Sequence, residues 1–210
     1  MAGILSLQYK QTPGNKKANI LKVSQMLKEN TDKTPDLVIL PEFFSTGICD
    51  EMYTTPEPSD GGETVAAIAE LAKQYKTNII SGTVIEKDGD KLYNTMFVLD
   101  RNGKVVGKYR KIHLFAYMSG TEDKALTAGN EEVVLDLDFA RIGLSICFDI
   151  RYPLHHRKLA QAGAEIIVSP SAFSYPASLS DEDKAAFVNT WRALNVTRAT
   201  ENLVYFVTSN

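Results

Sequence analysis

The sequence is poor in the residues that mark several classes of protein. It has 210 residues but only two cysteines and three histidines. Two cysteines are too few for the disulfide framework of a small secreted protein, so reduced thiols and a cytoplasmic location are the expectation. These residues also lack spacings such as CxxC or HxxxH, which predicts that the chain holds no metal.

Charge and hydropathy argue against two kinds of partner. The 23 basic and 26 acidic residues leave a formal net charge of −3, which gives no electrostatic reason to expect nucleic acid or an anionic membrane as a partner. No apolar run approaches the roughly 20 residues that cross a bilayer. The opening stretch "MAGILSLQYKQTPGNKK" has no basic leader and predicts a first strand rather than a signal peptide.

What is present is the pattern of a mixed α/β domain. No linker or internal repeat divides the chain, so residues 1–210 are expected to form a single domain around one core. Helical periodicity in "NKKANILKVSQMLKEN" and "ETVAAIAELAKQYK" alternates with apolar strands. The turns in "KDGD" and "RNG" predict hairpins between them. This order predicts an α/β fold with a mixed sheet and helices over one or both faces.

Two reactive side chains come where an apolar strand gives way to a loop. Glu42 follows the strand in "LVILPEFFSTG", after a proline that weakens strand pairing. It is either a partly desolvated general base or an ordinary surface acid. Lys111 in "GKYRKIHLF" is either part of an exposed basic edge strand or an inward-facing ammonium. An inward-facing ammonium needs an anionic partner, and Glu42 or a thiolate would supply it.

The third reactive residue is Cys147, in "LSICFDIRYP". An inert core thiol stays open as an alternative, since cysteine is among the most often buried residues. Its place at a strand-to-helix turn favours a nucleophile, because a helix N-terminus and a nearby cation are expected to lower the pKa of the thiol.

A pair with His155 or His156 is disfavoured, because their rings are expected to point away from the thiol. Asp149 and Arg151 are expected to form a local ion pair that fixes the turn.

Together the three segments resemble the nitrilase superfamily of carbon–nitrogen hydrolases, whose Glu–Lys–Cys triad comes in this order. "LPEFFSTG" is similar to the glutamate motif, "YRKIHLF" to the lysine motif and "CFDIRYP" to the cysteine motif. Other segments match too, among them "GETVAAIAELAKQY", "AGAEIIVSPSAF" and "RATENLVYFVTSN". The resemblance therefore covers essentially the whole chain, and it is strongest to the Nit branch, which includes omega-amidase.

The resemblance implies a four-layer α-β-β-α sandwich and a cysteine hydrolase that needs no cofactor. In this reading Glu42 is the general base, Cys147 is the nucleophile, and Lys111 with the backbone N–H of Phe148 stabilises the oxyanion. The expected reaction cleaves a small linear amide through a cysteine thioester and releases ammonia. An N-carbamoyl compound or a nitrile is the alternative substrate. A scaffold that has lost turnover is the non-catalytic alternative.

The resemblance extends to further residues. Glu122 in "SGTEDKALTAG" matches a second glutamate of the family that orients the lysine, with an ordinary loop acid as the alternative. Four residues are expected to bind substrate: Phe148, Arg151, His113 and Ser171. A structural role is the alternative for His113. Cys49 is expected to be structural, and Phe187 and Trp191 are expected to be core residues on one helix face rather than residues that stack on substrate. The family also implies a homodimer or a higher homo-oligomer.

Two stretches depart from the Nit branch. "SYPASLSDEDKAAFVNTW" replaces a shorter loop that leads to a His-Trp pair, and this loop shapes the pocket in relatives. A particular substrate therefore does not transfer from them. The sequence also stops after the strand "LVYFVTSN", where relatives continue. The expected sandwich accordingly lacks the usual C-terminal segment.

Overall fold

The computed structural model describes residues 2–30, 34–117 and 120–210, which form two β-sheets and the helices that cover them. The strands of the first sheet are β1 (Ile4–Ser6), β2 (Leu37–Ile39), β3 (Glu57–Pro58), β4 (Asn78–Ile80), β5 (Val84–Asp88), β6 (Lys91–Leu99) and β7 (Val105–Arg110). Those of the second are β8 (Val134–Asp136), β9 (Arg141–Leu144), β10 (Ile166–Pro170) and β11 (Tyr205–Ser209).

The helices are α1 (Lys16–Asn30), α2 (Glu51–Thr54), α3 (Gly62–Tyr75), α4 (Glu122–Ala125), α5 (Pro153–Gln161) and α6 (Asp181–Asn202). A 3₁₀ helix (Cys147–Arg151) precedes α5. Pro153 opens α5, a position that suits proline, and the Ser180 hydroxyl caps α6 by accepting the backbone N–H of Asp183 across 3.1 Å. Within the described ranges, no helix has the length and hydrophobicity that crossing a membrane requires.

Both sheets are mixed, as the sequence pattern predicts. In the first sheet β1, β2 and β4 run parallel, while β5, β6 and β7 form the two predicted hairpins. One edge of β6 pairs with β5 and then with β4, and the other edge pairs with β7. In the second sheet β10 lies parallel between β9 and β11, and β8 pairs antiparallel with β9.

The apolar residues fall into successive layers. Val23 of α1 and Ile68 of α3 pack on the outer face of the first sheet, and Leu159 of α5 packs on the outer face of the second. The two inner faces meet in an apolar seam formed by Leu37, Ile39, Ile80, Met96, Val98, Tyr109, Ile142, Leu144, Ile146, Ile166 and Val168. Burial on both faces explains the continuous apolar runs of these strands. The chain therefore folds as the four-layer α-β-β-α sandwich that the resemblance implies.

Gly82 allows the end of β4 to lie close to the end of β2. The stretch "TNIISGTVIE" breaks into β4 and β5 at Gly82, which has a φ of 66°. A Cβ atom at this position would collide with the carbonyl oxygen of Pro41. The end of β4 can therefore lie directly against the backbone that leads into Glu42.

Candidate active site

The three residues of the predicted triad meet at one end of the sandwich. Glu42 follows β2 and Lys111 follows β7 of the first sheet, while Cys147 follows β9 of the second. All three line one cavity of about 300 Å³, as does Glu122. The fold thus brings together side chains that are up to 105 positions apart in the sequence, which is the separation from Glu42 to Cys147.

Lys111 is a buried ammonium held between two carboxylates. Its Nζ lies 2.9 Å from Oε1 of Glu42 and 2.8 Å from Oε2 of Glu122, and only 2% of its side chain is exposed. Burial lowers the pKa of Lys111, but the negative charges around it outweigh burial and hold that pKa above its ordinary value. The lysine is therefore charged, and it faces inward rather than forming part of an exposed basic edge.

Glu42 is held in place by donors from three segments. Its Oε1 accepts from Lys111 and from Nδ2 of Asn94, which lies 2.8 Å away, and its Oε2 accepts the backbone N–H of Ala172 across 2.9 Å. The next residue, Phe43, has a φ of 52°, and its N–H donates to the hydroxyl of Thr83. A left-handed non-glycine residue persists only where its surroundings fix it, so the backbone here is tightly constrained.

Asn94 is a site residue that the sequence analysis missed. Its Nδ2 lies 2.8 Å from an oxygen of Glu42 and 2.8 Å from an oxygen of Glu122. The backbone carbonyl of Asn94 accepts the backbone N–H of Lys111 across 2.9 Å. Asn94 is fully buried within β6, in the otherwise apolar run "LYNTMFVL". A buried amide in a core strand was the signal, because such a group needs polar partners.

Glu122 lies where the resemblance places it, beside the lysine. Its Oε2 accepts from Lys111 and from the backbone N–H of Phe115, which lies 2.7 Å away. The residue begins α4 and is 7% exposed. Ser119, which opens the motif that predicted Glu122, lies outside the described residues. The contacts make Glu122 a partner of Lys111 rather than a free loop acid.

Cys147 begins the 3₁₀ helix with a φ of 45°. Burial raises the pKa of its thiol, the charge of Glu42 raises it further, and Lys111 offsets only part of the effect. The prediction of a lowered thiol pKa is therefore wrong. The physical reason is that burial and the charge of Glu42 both raise this pKa, while the charge of Lys111 is already shared with two carboxylates. A thiol with a raised pKa is protonated at neutral pH unless a neighbouring base takes its proton.

Half of the other residues that line the cavity are aromatic: Phe43, Tyr53, Phe115, Tyr117, Phe148, Phe173, Phe187 and Trp191. Trp191 stacks on Phe173 with ring centroids 4.7 Å apart. The expectation that Phe187 and Trp191 are core residues is wrong, since both are half-buried and line the cavity. The buried residues of α6 are Arg198 and Asn202, near the C-terminal end of the helix. The N-terminal half, which carries Phe187 and Trp191, therefore borders the cavity instead of the core.

The four predicted substrate-binding residues divide into two pairs. Phe148 and Arg151 line the cavity, whereas His113 and Ser171 are not among its lining residues. The Ser171 hydroxyl donates to the carbonyl of Ser169, and the carbonyl of Ser171 accepts the backbone N–H of Glu42 across 3.2 Å. In this structure Ser171 supports Glu42, and its role in substrate binding stays a prediction, as does that of His113.

The predicted ion pair between Asp149 and Arg151 is wrong. The guanidinium of Arg151 instead lies over the rings of Phe148 and Tyr117, 5.7 and 5.8 Å from their centroids. Asp149 is fully buried, and its carboxylate accepts from the ring nitrogen of His113 at 2.7 Å. The two side chains leave the turn in different directions, because Arg151 is exposed at the mouth of the cavity while Asp149 faces the seam.

His155 and His156 are directed away from the thiol, as expected. The Nε2 of His155 lies 3.3 Å from the carbonyl of Leu144, and the Nε2 of His156 lies 3.1 Å from the hydroxyl of Ser145. Neither histidine is among the residues that line the cavity. Within the described ranges, no group of three or more His, Cys, Asp or Glu residues has an arrangement that would hold a metal ion.

The sequence is similar to those of a known protein family. The model of the carbon-nitrogen hydrolase family matches residues 4–210. The chain is 33% identical to "Omega-amidase, chloroplastic" of Arabidopsis thaliana, over 92% of this chain and 53% of that protein. It is 29% identical to the "2-oxoglutaramate amidase" of Bacillus subtilis, over 99% of this chain and 75% of that protein.

A solved structure supports the same assignment. The crystal structure of Nit3 from Saccharomyces cerevisiae, a member of branch 10 of the nitrilase superfamily, matches with a TM-score of 0.82 and 28% identity. The match covers 99% of this chain and 74% of Nit3. The chain therefore spans about half the length of the Arabidopsis relative and about three quarters of the other two. From its sequence and its fold, the chain belongs to the carbon-nitrogen hydrolase family, and it is similar to omega-amidases within the nitrilase superfamily.

Proposed function

We propose that the chain is a thiol amidase that hydrolyses a small linear amide to a carboxylic acid and ammonia. The observation that carries the proposal is the shared cavity of Cys147, Glu42 and the buried Lys111. This set supplies a nucleophile, a base and a fixed positive charge, which are the groups that acyl transfer requires. The names of the two amidase relatives support the same reaction class.

Acylation begins with proton transfer from the thiol of Cys147 to the carboxylate of Glu42. The thiol needs this base because its resting pKa is raised. The thiolate sulfur then attacks the amide carbon, and the carbonyl electron pair moves onto the oxygen. When the tetrahedral intermediate collapses, Glu42 returns the proton to the nitrogen. The carbon–nitrogen bond breaks, ammonia leaves, and a thioester on Cys147 remains.

The developing oxyanion is stabilised by Lys111 and by the backbone N–H of Phe148. An ammonium has three donors, and Glu42 and Glu122 engage two of those on Lys111. The third is left for a substrate oxygen. Because its two carboxylates fix the ammonium before substrate binds, little reorganisation is needed during the reaction. Donors preorganised in this way contribute about 3 kcal/mol each to transition-state stabilisation.

Hydrolysis of the thioester uses the same groups. Glu42 takes a proton from a water molecule, the water oxygen attacks the thioester carbon, and the same donors hold the second oxyanion. Collapse of this intermediate releases the acid and expels the sulfur of Cys147, which regains its proton from Glu42. Each step uses side chains of the chain itself and needs no cofactor.

Arg151 suggests which small amides are substrates. Its guanidinium lies at the mouth of a cavity of about 300 Å³ whose walls are otherwise largely aromatic. An exposed guanidinium binds carboxylates well, so a short linear amide that carries a carboxylate fits the site best. An N-carbamoyl amino acid also carries a carboxylate, and the same arginine makes it the second candidate.

The test is ammonia release across a panel of short ω-amide acids, their methyl esters, N-carbamoyl amino acids and nitriles. We expect turnover of ω-amide acids, with weaker turnover of the methyl esters. Arg151→Gln is expected to remove the preference for the free acid, whereas Arg157→Gln, on the exposed face of α5, keeps it. No ammonia from any compound, with a folded protein whose Cys147 still reacts with iodoacetamide, would contradict the proposal.

A further inference from the structure

The carboxylate of Asp149 joins the segment that carries Cys147 to the segment that carries Lys111. We propose that Asp149 is a positioning residue that holds the nucleophile and the lysine in register across the two sheets. This role rests on the proposed function, because the register matters only if the two groups act on one substrate. Asp149 itself is not among the residues that line the cavity.

One carboxylate oxygen binds both segments at once. Oδ2 of Asp149 accepts the backbone N–H of Ile146 across 2.9 Å and the phenol of Tyr109 across 2.7 Å. Ile146 follows β9 of the second sheet and immediately precedes Cys147. Tyr109 lies in β7 of the first sheet, two positions before Lys111. This oxygen is therefore a polar link across an otherwise apolar seam.

The other carboxylate oxygen of Asp149 binds the segment that follows Lys111 in the chain. Oδ1 of Asp149 accepts the backbone N–H of His113 across 2.9 Å, and it lies 2.7 Å from Nδ1 of the same residue. His113 follows Lys111 by two positions, so Asp149 binds on both sides of the lysine. The His113 ring is stacked on Tyr152 with centroids 3.6 Å apart, which fixes its orientation.

These four contacts do more than close a local turn. The bond to Ile146 caps the 3₁₀ helix and is a contact between neighbours in the sequence. The bonds to His113 and Tyr109 span 36 and 40 positions, and they connect the turn to the lysine segment. Apolar packing is not directional, whereas hydrogen bonds are. Together with the hydrogen bonds that join Glu42 to the backbone of Ser171 and Ala172, the Asp149 carboxylate therefore fixes the relative position of the two sheets at this end of the sandwich.

The backbone at the nucleophile needs such support. Cys147 has a φ of 45°, a left-handed conformation that is strained for a non-glycine residue. The strain persists only where several contacts fix the flanking residues. Asp149 fixes the residue just before Cys147, and its own N–H donates to the carbonyl of Ile146 across 3.0 Å.

Asp149 remains ionised in this setting. Burial alone would raise the pKa of its carboxyl, but the hydrogen bond from His113 and the other donors hold that pKa below its ordinary value. Three titratable groups face it: Tyr109 and His113 by hydrogen bonds, and His155, whose ring lies against the rings of both. A charged acceptor strengthens each of its four hydrogen bonds, so the link between the segments is strong.

The test is the isosteric variant Asp149→Asn. It keeps the side-chain volume but places an amide NH₂ against N–H and O–H donors. We expect kcat to fall on the order of tenfold to a hundredfold while KM stays the same, because misplaced reacting groups slow the chemical step. We also expect slower alkylation of Cys147 by iodoacetamide, measured by peptide mass spectrometry. Cys49 in the same sample serves as the internal reference, since it lies in a separate apolar cluster.

Glu86→Gln is the matched control. Glu86 is also fully buried, and it accepts from Arg110, Lys108 and Thr95 in the first sheet without contacting the nucleophile segment. This variant is expected to lower the melting temperature but to leave kcat and the alkylation rate of Cys147 unchanged. Tyr109→Phe is the second variant if Asp149→Asn does not fold, since it removes one of the four bonds. It is expected to lower kcat and Cys147 alkylation severalfold.

The alkylation measurement separates this inference from the proposed function, since it needs no substrate. A slower reaction at Cys147 in Asp149→Asn or Tyr109→Phe, with Cys49 unchanged, supports the positioning role even if no amide is turned over. Alkylation of Cys147 at the wild-type rate or faster in both variants overturns it. A rise in KM without a fall in kcat also overturns it, because Asp149 would then act on substrate binding.

Discussion

The ammonium of Lys111 donates to the carboxylate of Glu42 across 2.9 Å, and each side chain has only 2% of its surface exposed. Glu122 completes the arrangement from the other side, 2.8 Å from the same nitrogen. One buried cation therefore compensates two buried carboxylates. Such a cluster is costly to form and more costly to break, because removing one member leaves the others uncompensated.

Lys111→Met is the first prediction. It keeps the length of the side chain but removes the charge, which leaves Glu42 and Glu122 beside each other without a cation. We expect the free energy of unfolding to fall by about 3–5 kcal/mol at neutral pH and turnover to be lost. Chemical denaturation and ammonia release measure the two effects. Lys108→Met is the control, since Lys108 is more exposed and its partner Glu86 keeps Arg110. Equal stability of the two variants would contradict the account.

Asn94→Ala is the second prediction. The variant removes the amide that donates to Glu42 and Glu122, so both carboxylates lose a hydrogen bond at 2.8 Å. Glu42, the base, and Glu122, the partner of Lys111, are then free to move, and kcat is expected to fall at least tenfold. Asn78→Ala is the control, because that buried asparagine binds Asp138 and a backbone carbonyl away from the cavity. Similar kcat values for the two variants would show that Asn94 has no part in the site.

The sequence predicted those parts of the molecule that depend on local pattern. Hairpins follow from the Asp-Gly and Asn-Gly turns, and α1 and α3 follow from the helical periodicity of their apolar residues. The triad residues were found because each stands at the end of an apolar run, within a motif that resembles a known family.

The residues that were missed owe their roles to contacts between distant segments. Asn94 lies in a strand that looks like any core strand, and only the approach of Glu42 and Glu122 gives its amide two partners. The partner of Asp149 was wrongly predicted because Arg151 is its neighbour in the sequence, whereas the actual donors come from another sheet. The prediction of a lowered pKa for the Cys147 thiol failed because that pKa depends on burial and on the balance between the charges of Glu42 and Lys111.

Trp191→Ala is the third prediction. The ring lines the cavity and stacks on Phe173, so its loss opens one wall without touching the triad. We expect KM for the best amide to rise roughly tenfold, equivalent to ~1.4 kcal/mol of binding, with little change in kcat. Val196→Ala is the control, because Val196 lies on the same helix and is 64% exposed. If KM is the same in both variants, Trp191 does not contact substrate.

The fourth prediction concerns acid stability. Burial lowers the pKa of His156 to about 4, from an ordinary value of 6.5. Between these two values the unfolded chain binds a proton at His156 that the folded chain does not bind. The free energy of unfolding therefore falls as the pH drops from 6.5 to 4, by at most about 1.4 kcal/mol per pH unit for this one group. Above pH 6.5 the group has no effect.

His156→Gln tests this dependence, since glutamine does not titrate. Urea denaturation of both proteins between pH 4 and pH 7 gives the two slopes, and carboxyl groups contribute equally to each. We expect a shallower loss of stability in the variant. Identical slopes would mean that His156 takes up its proton equally well in the folded and the unfolded chain.

The central claim is that Cys147 is the nucleophile, and the most direct measurement compares ammonia release by the wild type, Cys147→Ala and Cys49→Ala. Cys49 is the matched control, because it is also half-buried and its thiol donates to the carbonyl of Thr46 rather than lining the cavity with Glu42 and Lys111. The account predicts that Cys147→Ala releases no ammonia above the uncatalysed rate, while Cys49→Ala retains wild-type turnover. Equal turnover by Cys147→Ala and the wild type would contradict it.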